Sequence, residues 1–341
     1  MLIIKKIDNL LYNELKPDTN FQLPKRLTVA KFLKKSTAYY TVLNELDVLE
    51  INAFFDAALS YDIKILDIGI SPFCYDPLDY PANTIFITSN LIKCRDEEIQ
   101  FPFWLDNIDS IPVPKNEILD PKIFFHSWMR IPRPHRIDLV NNLIMKDLIS
   151  KGEIKISHYD DLYSVLEEDD SKRTLNITHN FIDFEKNKKY ILDKVDGMAN
   201  TNNANNAWQI NYAYRYNRML DVVAETTIEF KVPWISEKLW KPIRAGQLFL
   251  SWGVKGTVGC LRQQGFKTFD NYVDHSYDII ENNDLRLNTL TTELKRLSDL
   301  SEEEKIKIWK STEKDRRFNR NYLRGNLYIN FLQQLKEKIL L

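Results

Sequence analysis

The chain has 341 residues, more than one compact core usually holds, so two domains of ordinary size are expected. Hydrophobic residues at 44% and charged residues at 28% describe a folded, soluble protein, and a net charge of −1 leaves no global electrostatic case for coating nucleic acid or a membrane. Three cysteines (Cys74, Cys94, Cys260) are widely separated and form no CxxC pair, which fits buried thiols in a reducing, cytoplasmic setting rather than a disulfide framework.

The opening stretch, "MLIIKKIDNLLYNELK", alternates charged and apolar residues and reads as neither a signal peptide nor a membrane span. Apolar residues at helical spacing around Leu43, Leu46, Leu49, Phe54 and Leu59 predict a helix. "IKILDIGIS" (63–71) and "NTIFITSNL" (83–91) predict buried strands, the pattern of an α/β sheet. The proline-bearing run 101–122 cannot be regular throughout, and a domain boundary is expected within it.

A second α/β block follows. "KIFFHSW" (122–128) predicts a strand, "MRIPRPHR" (129–136) a basic loop, 136–149 an amphipathic helix and "EIKISHY" (153–159) the next strand. The runs "EEDDSKR" (167–173) and "MANTNNANNAW" (198–208) have turn composition. "LDVVAETT" (220–227) and "QLFLS" (247–251) predict two further strands, 265–278 a loop, 287–300 a helix, and 301–340 a capped, charged helical run.

Between those two strands lies "PWISEKLWKPIRAGQLFLSWG" (233–253). Ser236 is a good N-cap, and Gly246 stands where a left-handed C-terminal stop is wanted. Leu239, Trp240 and Ile243 share one face, while Pro242 should kink or shorten the element. Lys238 in the first turn is poorly placed for the helix dipole unless an anion binds there, where free N–H groups already favour phosphate. Glu237 would then point elsewhere, most naturally to the paired hydroxyls of a ribose. The plain alternative is a Glu237 that complements the dipole beside a solvated Lys238.

In the basic loop, Arg130, Arg133, His135 and Arg136 lie between a strand and a helix, and guanidinium forks suit phosphate. Arg136 is the preferred phosphate contact and Arg133 the second; a solvated basic turn is the alternative. A transfer to a hydroxyl also needs a base, and a carboxylate is a common one. Asp67, Asp76 and Asp79 follow a strand beside aromatic residues; Asp76 is the candidate, against ordinary turn composition.

Segment 221–253 resembles the donor-binding segment of the α1,3-fucosyltransferases of glycosyltransferase family 10. On that resemblance Glu225 takes the place of a family glutamate, Ser236-Glu237-Lys238 that of Thr-Glu-Lys, and Trp252-Gly253 that of the strand's closing pair. The chain is also similar to phage and large-virus glycosyltransferase-like proteins through "RIPRPHR" (130–136) and "GFKTFDNYVDHSYD" (265–278). It departs from the fucosyltransferases at Thr226, where they carry Asn, and at Pro242. The resemblance implies a GT-B-like α/β fold, two Rossmann-type domains facing a cleft: an acceptor-side domain over 1–118, a nucleotide-sugar domain over 119–310, and a helical segment over 311–341 returning across the cleft. It also implies Lys238 on the donor diphosphate, Glu237 on the ribose, a role for Glu225 in catalysis, and an upstream arginine, placed at Arg218 rather than Arg215.

The expected activity is therefore transfer of a sugar, with inversion, from a nucleoside-diphosphate donor of GDP-fucose type to a glycan hydroxyl. A phage-type DNA base glycosyltransferase and a non-catalytic nucleotide- or glycan-binding protein remain the alternatives. The sequence has no G-x-x-x-x-G-K-[ST] loop and no G-x-G-x-x-G, and its five histidines (126, 135, 158, 179, 275) lack metal spacing. No metal or other cofactor is required, since Lys, Arg and a helix terminus can stabilise a leaving diphosphate.

Overall fold

The computed structural model describes residues 121–129, 133–156, 217–229, 233 and 235–324, together with six backbone strands in the N-terminal part. Those six are β1 (Pro17–Asp18), β2 (Phe32–Leu33), β3 (Ala38–Thr41), β4 (Lys64–Gly69), β5 (Thr84–Thr88) and β6 (Ile99–Gln100). They form one sheet in chain order, antiparallel from β1 to β3 and parallel from β3 to β6. The strands expected over 63–71 and 83–91 are β4 and β5, trimmed at their ends. Asp76, Asp79, the helix expected near 43–59 and the polar runs 167–173 and 198–208 lie outside the described residues.

The second sheet holds β7 (Ile123–Met129), β8 (Gly152–Ile156), β9 (Arg218–Ala224) and β10 (Leu248–Trp252). All neighbours are parallel, in the order β10-β9-β7-β8. Every residue of β9 and β10 is buried, as parallel strands covered on both faces require. The described residues are thus mixed α/β around a parallel four-stranded sheet, an arrangement compatible with a Rossmann-like fold.

Helix α1 (Pro134–Met145) leads from β7 outward to β8, and α2 (Glu237–Ala245) leads from β9 outward to β10 on the other side. The strand order therefore reverses between β7 and β9. In parallel sheets a ligand crevice opens at such a reversal, outside the carboxyl ends of the strands. α1 starts two residues before its expected position because Pro134 supplies a pre-set φ at N1, with Arg133 extended at the N-cap.

α2 is one continuous element through Pro242. It stops at Gly246, where φ is 70° and the N–H groups of Gly246 and Gln247 close onto the carbonyls of Ile243 and Pro242. Its end is set by Gly246, three residues past the last turn's Ile243, and a nine-residue helix has little beyond Pro242 to bend.

The chain continues through α3 (Thr257–Gln263), a short 3-10 helix (Ser276–Ile279), α4 (Asn283–Ser298), α5 (Glu302–Ser311) and α6 (Glu313–Arg324). Ser301 and Glu304 form a reciprocal capping box at α5. α4 packs on α1 and β10, and α6 packs on α2. α6 is tied there by Arg316 Nη1 donating to the Gly246 carbonyl at 3.0 Å, and by Asn319, which pairs with the backbone of Lys267. The described part of the segment after 311 thus lies against the second sheet's own helix; 325–341 lies outside the described residues. Phe125, Leu220, Val222, Trp240, Phe249 and Leu250 form the centre of the core. Among the described residues no helix is long and apolar enough to cross a membrane.

Candidate functional site

The loops leaving β7 and β9 meet at the strand-order reversal. Two parallel central strands deliver their carboxyl ends side by side, so the residues that follow them, 133–136 and 225–226, become neighbours despite about ninety residues of separation in sequence. The Glu225 carbonyl accepts from His135 Nε2 at 2.9 Å and from Arg136 Nη2 at 3.0 Å. The Thr226 carbonyl accepts from Arg133 Nη1 at 2.7 Å. Trp252 Nε1 donates to the His135 carbonyl at 2.9 Å, which joins the end of β10 to the same assembly.

Below these carbonyls the Glu225 side chain points inward and is fully buried. Its carboxylate accepts the backbone N–H of Ser236 at 3.2 Å and of Thr226 at 3.3 Å, and the Ser236 hydroxyl in a short contact. Ser236 Oγ in turn accepts from Lys238 N at 3.2 Å, the N-cap bond of α2. Glu225 thereby pins the start of α2 to the end of β9. Burial pushes its carboxyl above the usual range, against the opposing pull of Lys238 and the Ser236 hydroxyl.

Lys238 turns over the helix terminus. Its Nζ reaches Glu237 Oε1 at 2.7 Å, Thr226 Oγ1 at 3.1 Å and Ser236 Oγ at 3.5 Å. The Lys238 and Glu237 side chains remain 20% and 14% exposed, the accessible part of a site whose other members, Glu225, Ser236 and Arg136, are buried. Burial would raise the Glu237 carboxyl, but the charges of Lys238 and Lys241 hold it below the ordinary value. Burial lowers His135 to about 4, helped by Arg136, Arg133 and Lys238, so the ring is neutral and Nε2 carries the proton that Glu225's carbonyl accepts. Burial also lowers Arg136 to about 10, which leaves it charged at neutral pH. Three cations, Arg133, Arg136 and Lys238, thus face the two carboxylates of Glu225 and Glu237. The balance favours an anion.

Of the residues singled out in sequence, the structure brings together Arg133, Arg136, Glu225, Ser236, Glu237 and Lys238. Arg218 is not among them. It sits at the amino end of β9, a strand length from Glu225, and pairs with Glu153 through Nε at 2.9 Å and a shorter Nη2 contact. Glu225, expected to act in catalysis, is fully buried, and its carboxylate accepts three donors that position the start of α2. Glu237 faces Lys238 rather than away from it. Arg136 is 2% exposed, which makes the partly buried Arg133 the more accessible guanidinium.

Sequence reasoning passed over Thr226 and Ser251. Thr226 was legible only as a departure from Asn, yet its hydroxyl holds Lys238. Ser251, 3% exposed, has an Oγ with no hydrogen-bond partner among the described residues. Ser251 and Glu225 both border Gly253, where a built Cβ would be 3.4 Å from Ser251 Oγ and 3.1 Å from Glu225 Cγ. The motif at 265–278 forms a packed brace. His275 donates from Nε2 to the Thr268 carbonyl and accepts at Nδ1 from the Tyr277 hydroxyl, which itself accepts the Ser251 N–H. Asp278 accepts from the N–H groups of Val258 and Gly259 and so caps α3. Among the described residues no three His, Cys, Asp or Glu side chains gather as a metal site.

Fold and site together define an α/β protein with an anion-suited basic cluster at the switch point of a parallel sheet. No family model, curated protein or solved structure matches this chain.

Proposed function

We propose that the chain is a glycosyltransferase of GT-B type that moves a sugar from a nucleoside-diphosphate donor to a hydroxyl acceptor on a glycan. The observation that carries this reading is the convergence of Lys238, Arg133 and the N-terminus of α2 at the carboxyl-edge reversal between β7 and β9. Those groups suit a diphosphate, which leaves with developing negative charge when the anomeric bond breaks.

In this reading the donor diphosphate lies against Lys238 and Arg133. Its arrival draws Lys238 away from Glu237, whose carboxylate then accepts from the ribose hydroxyls. Glu225 and Ser236 hold the helix terminus still while charge develops. The six-stranded N-terminal sheet belongs to the acceptor-side domain, and Asp76 is the base that takes the acceptor proton. A donor of GDP-fucose type and an inverting displacement follow from the family resemblance.

Titration calorimetry with nucleoside diphosphates tests the grip, and product formation from a panel of nucleotide sugars tests the chemistry. Binding that Lys238→Ala abolishes, followed by sugar transfer, supports the reading. Lys238-dependent binding without transfer leaves a nucleotide-binding protein, and affinity indifferent to Lys238→Ala removes the site.

A further inference from the structure

We propose that Glu237 is an internal counter-anion for Lys238 that makes the site select multiply charged phosphates over singly charged anions. The inference rests on the anion-binding reading above and goes beyond it to the charge class of the ligand.

Neighbouring side chains on a helix point about 100° apart and do not normally meet. The Glu237–Lys238 contact is therefore not a by-product of helical spacing. It forms because Thr226 Oγ1 and Ser236 Oγ draw the ammonium back across the helix terminus, where Glu237 Oε1 meets it at 2.7 Å. Thr226, Ser236 and Glu237 together take up the three N–H donors of Nζ, so a ligand oxygen competes with them for it. Thr226 and Ser236 are held in place, by the bonds of the Arg133–Thr226 junction and by Glu225. The Glu237 carboxylate, 14% exposed and outside the Glu225–Ser236 junction, is the partner that yields to a ligand.

A tethered carboxylate competes at a high effective concentration with anything arriving from solution. A monoanion exchanges one negative charge for another at Lys238 and gains little. A diphosphate replaces the carboxylate and keeps charge in reserve for Arg133 and the amide groups of α2.

The experiment is calorimetric titration of the full chain with pyrophosphate and with orthophosphate at pH 6, where orthophosphate is mostly the monoanion, for the wild type, Glu237→Gln and Lys238→Ala. Neither probe carries a ribose, so any role of Glu237 toward a sugar is silent. Glu237→Gln is expected to tighten orthophosphate binding by about tenfold or more, and pyrophosphate binding by clearly less, so that the gap between the two narrows. Glu237→Ala should act in the same direction, and thermal melts confirm that both variants are folded. Unchanged or weaker orthophosphate binding in both variants overturns the inference. If the wild type binds pyrophosphate through Lys238 but the variants show no narrowing, this inference alone fails. If neither anion binds to the wild type or to the Glu237 variants, the proposed function falls with it.

Discussion

Ser236 gives both its backbone N–H and its hydroxyl to the Glu225 carboxylate, across eleven residues of chain and with no water-exposed surface on either residue. This pairing fastens a helix terminus to a strand end. Glu225→Gln puts an amide donor where a donor already points, and leaves one bond unmade in a buried place. The expected loss is about 1–3 kcal/mol of folding free energy, read as a lower urea midpoint. A Glu225→Gln protein as stable as the wild type would contradict the positioning role.

The two arginines at opposite ends of the second sheet separate stability from binding. Arg218→Ala removes the partner of Glu153 at the amino edge and should lower stability by about 1–3 kcal/mol while leaving nucleoside-diphosphate affinity unchanged. Arg133→Ala should weaken that affinity by about tenfold, the scale of one charge-assisted hydrogen bond. Calorimetric titration of both variants checks the assignment; a loss of affinity in Arg218→Ala would move the site.

Gly246 ends α2 at φ 70°, and a Cβ there would also sit 2.5 Å from Arg320 Nη2. The guanidinium is the end of a flexible side chain and can yield, whereas the backbone conformation cannot. Gly246→Ala should therefore cost about 1–2 kcal/mol, the penalty of the left-handed region for a side chain. Denaturant titration measures it, and a neutral result would mean that the helix end reorganises.

His275, lowered to about 4 by burial, couples the brace at 265–278 to pH. The unfolded chain takes a proton on this ring near its ordinary value of 6.5, while the folded protein resists until about 4. Its share of stability is present above the unfolded value and is lost as pH falls toward 4. Between pH 7 and pH 5 the wild type should lose about 2 kcal/mol more than a His275→Gln variant, measured as unfolding free energies in urea. Parallel curves for the two proteins would show that the ring is already solvated in the folded state.

Much of the C-terminal architecture was legible from local signals. Ser236, Gly246 and the apolar face of Leu239, Trp240 and Ile243 define α2 without tertiary help, because caps and periodicity act within a few residues. The strands β4, β5, β7, β9 and β10 were visible as apolar runs, although their ends moved by a few residues. α1 began at Pro134 and not at Arg136, since a proline at N1 starts a helix that apolar periodicity alone places later.

What local signals could not settle is direction and depth. Glu225 and Arg136 read as functional charges, but only the packing of β7 beside β9 turns one carboxylate inward to hold Ser236 and leaves one guanidinium 2% exposed. Arg218 and Glu225 stand seven residues apart in sequence, and the extended strand between them carries one to each edge of the sheet. The sequence by itself determined which residue types were present and which short segments would be helix or strand. The tertiary structure decided which charges meet, because strand order reverses between β7 and β9 and brings together loops that no local pattern connects.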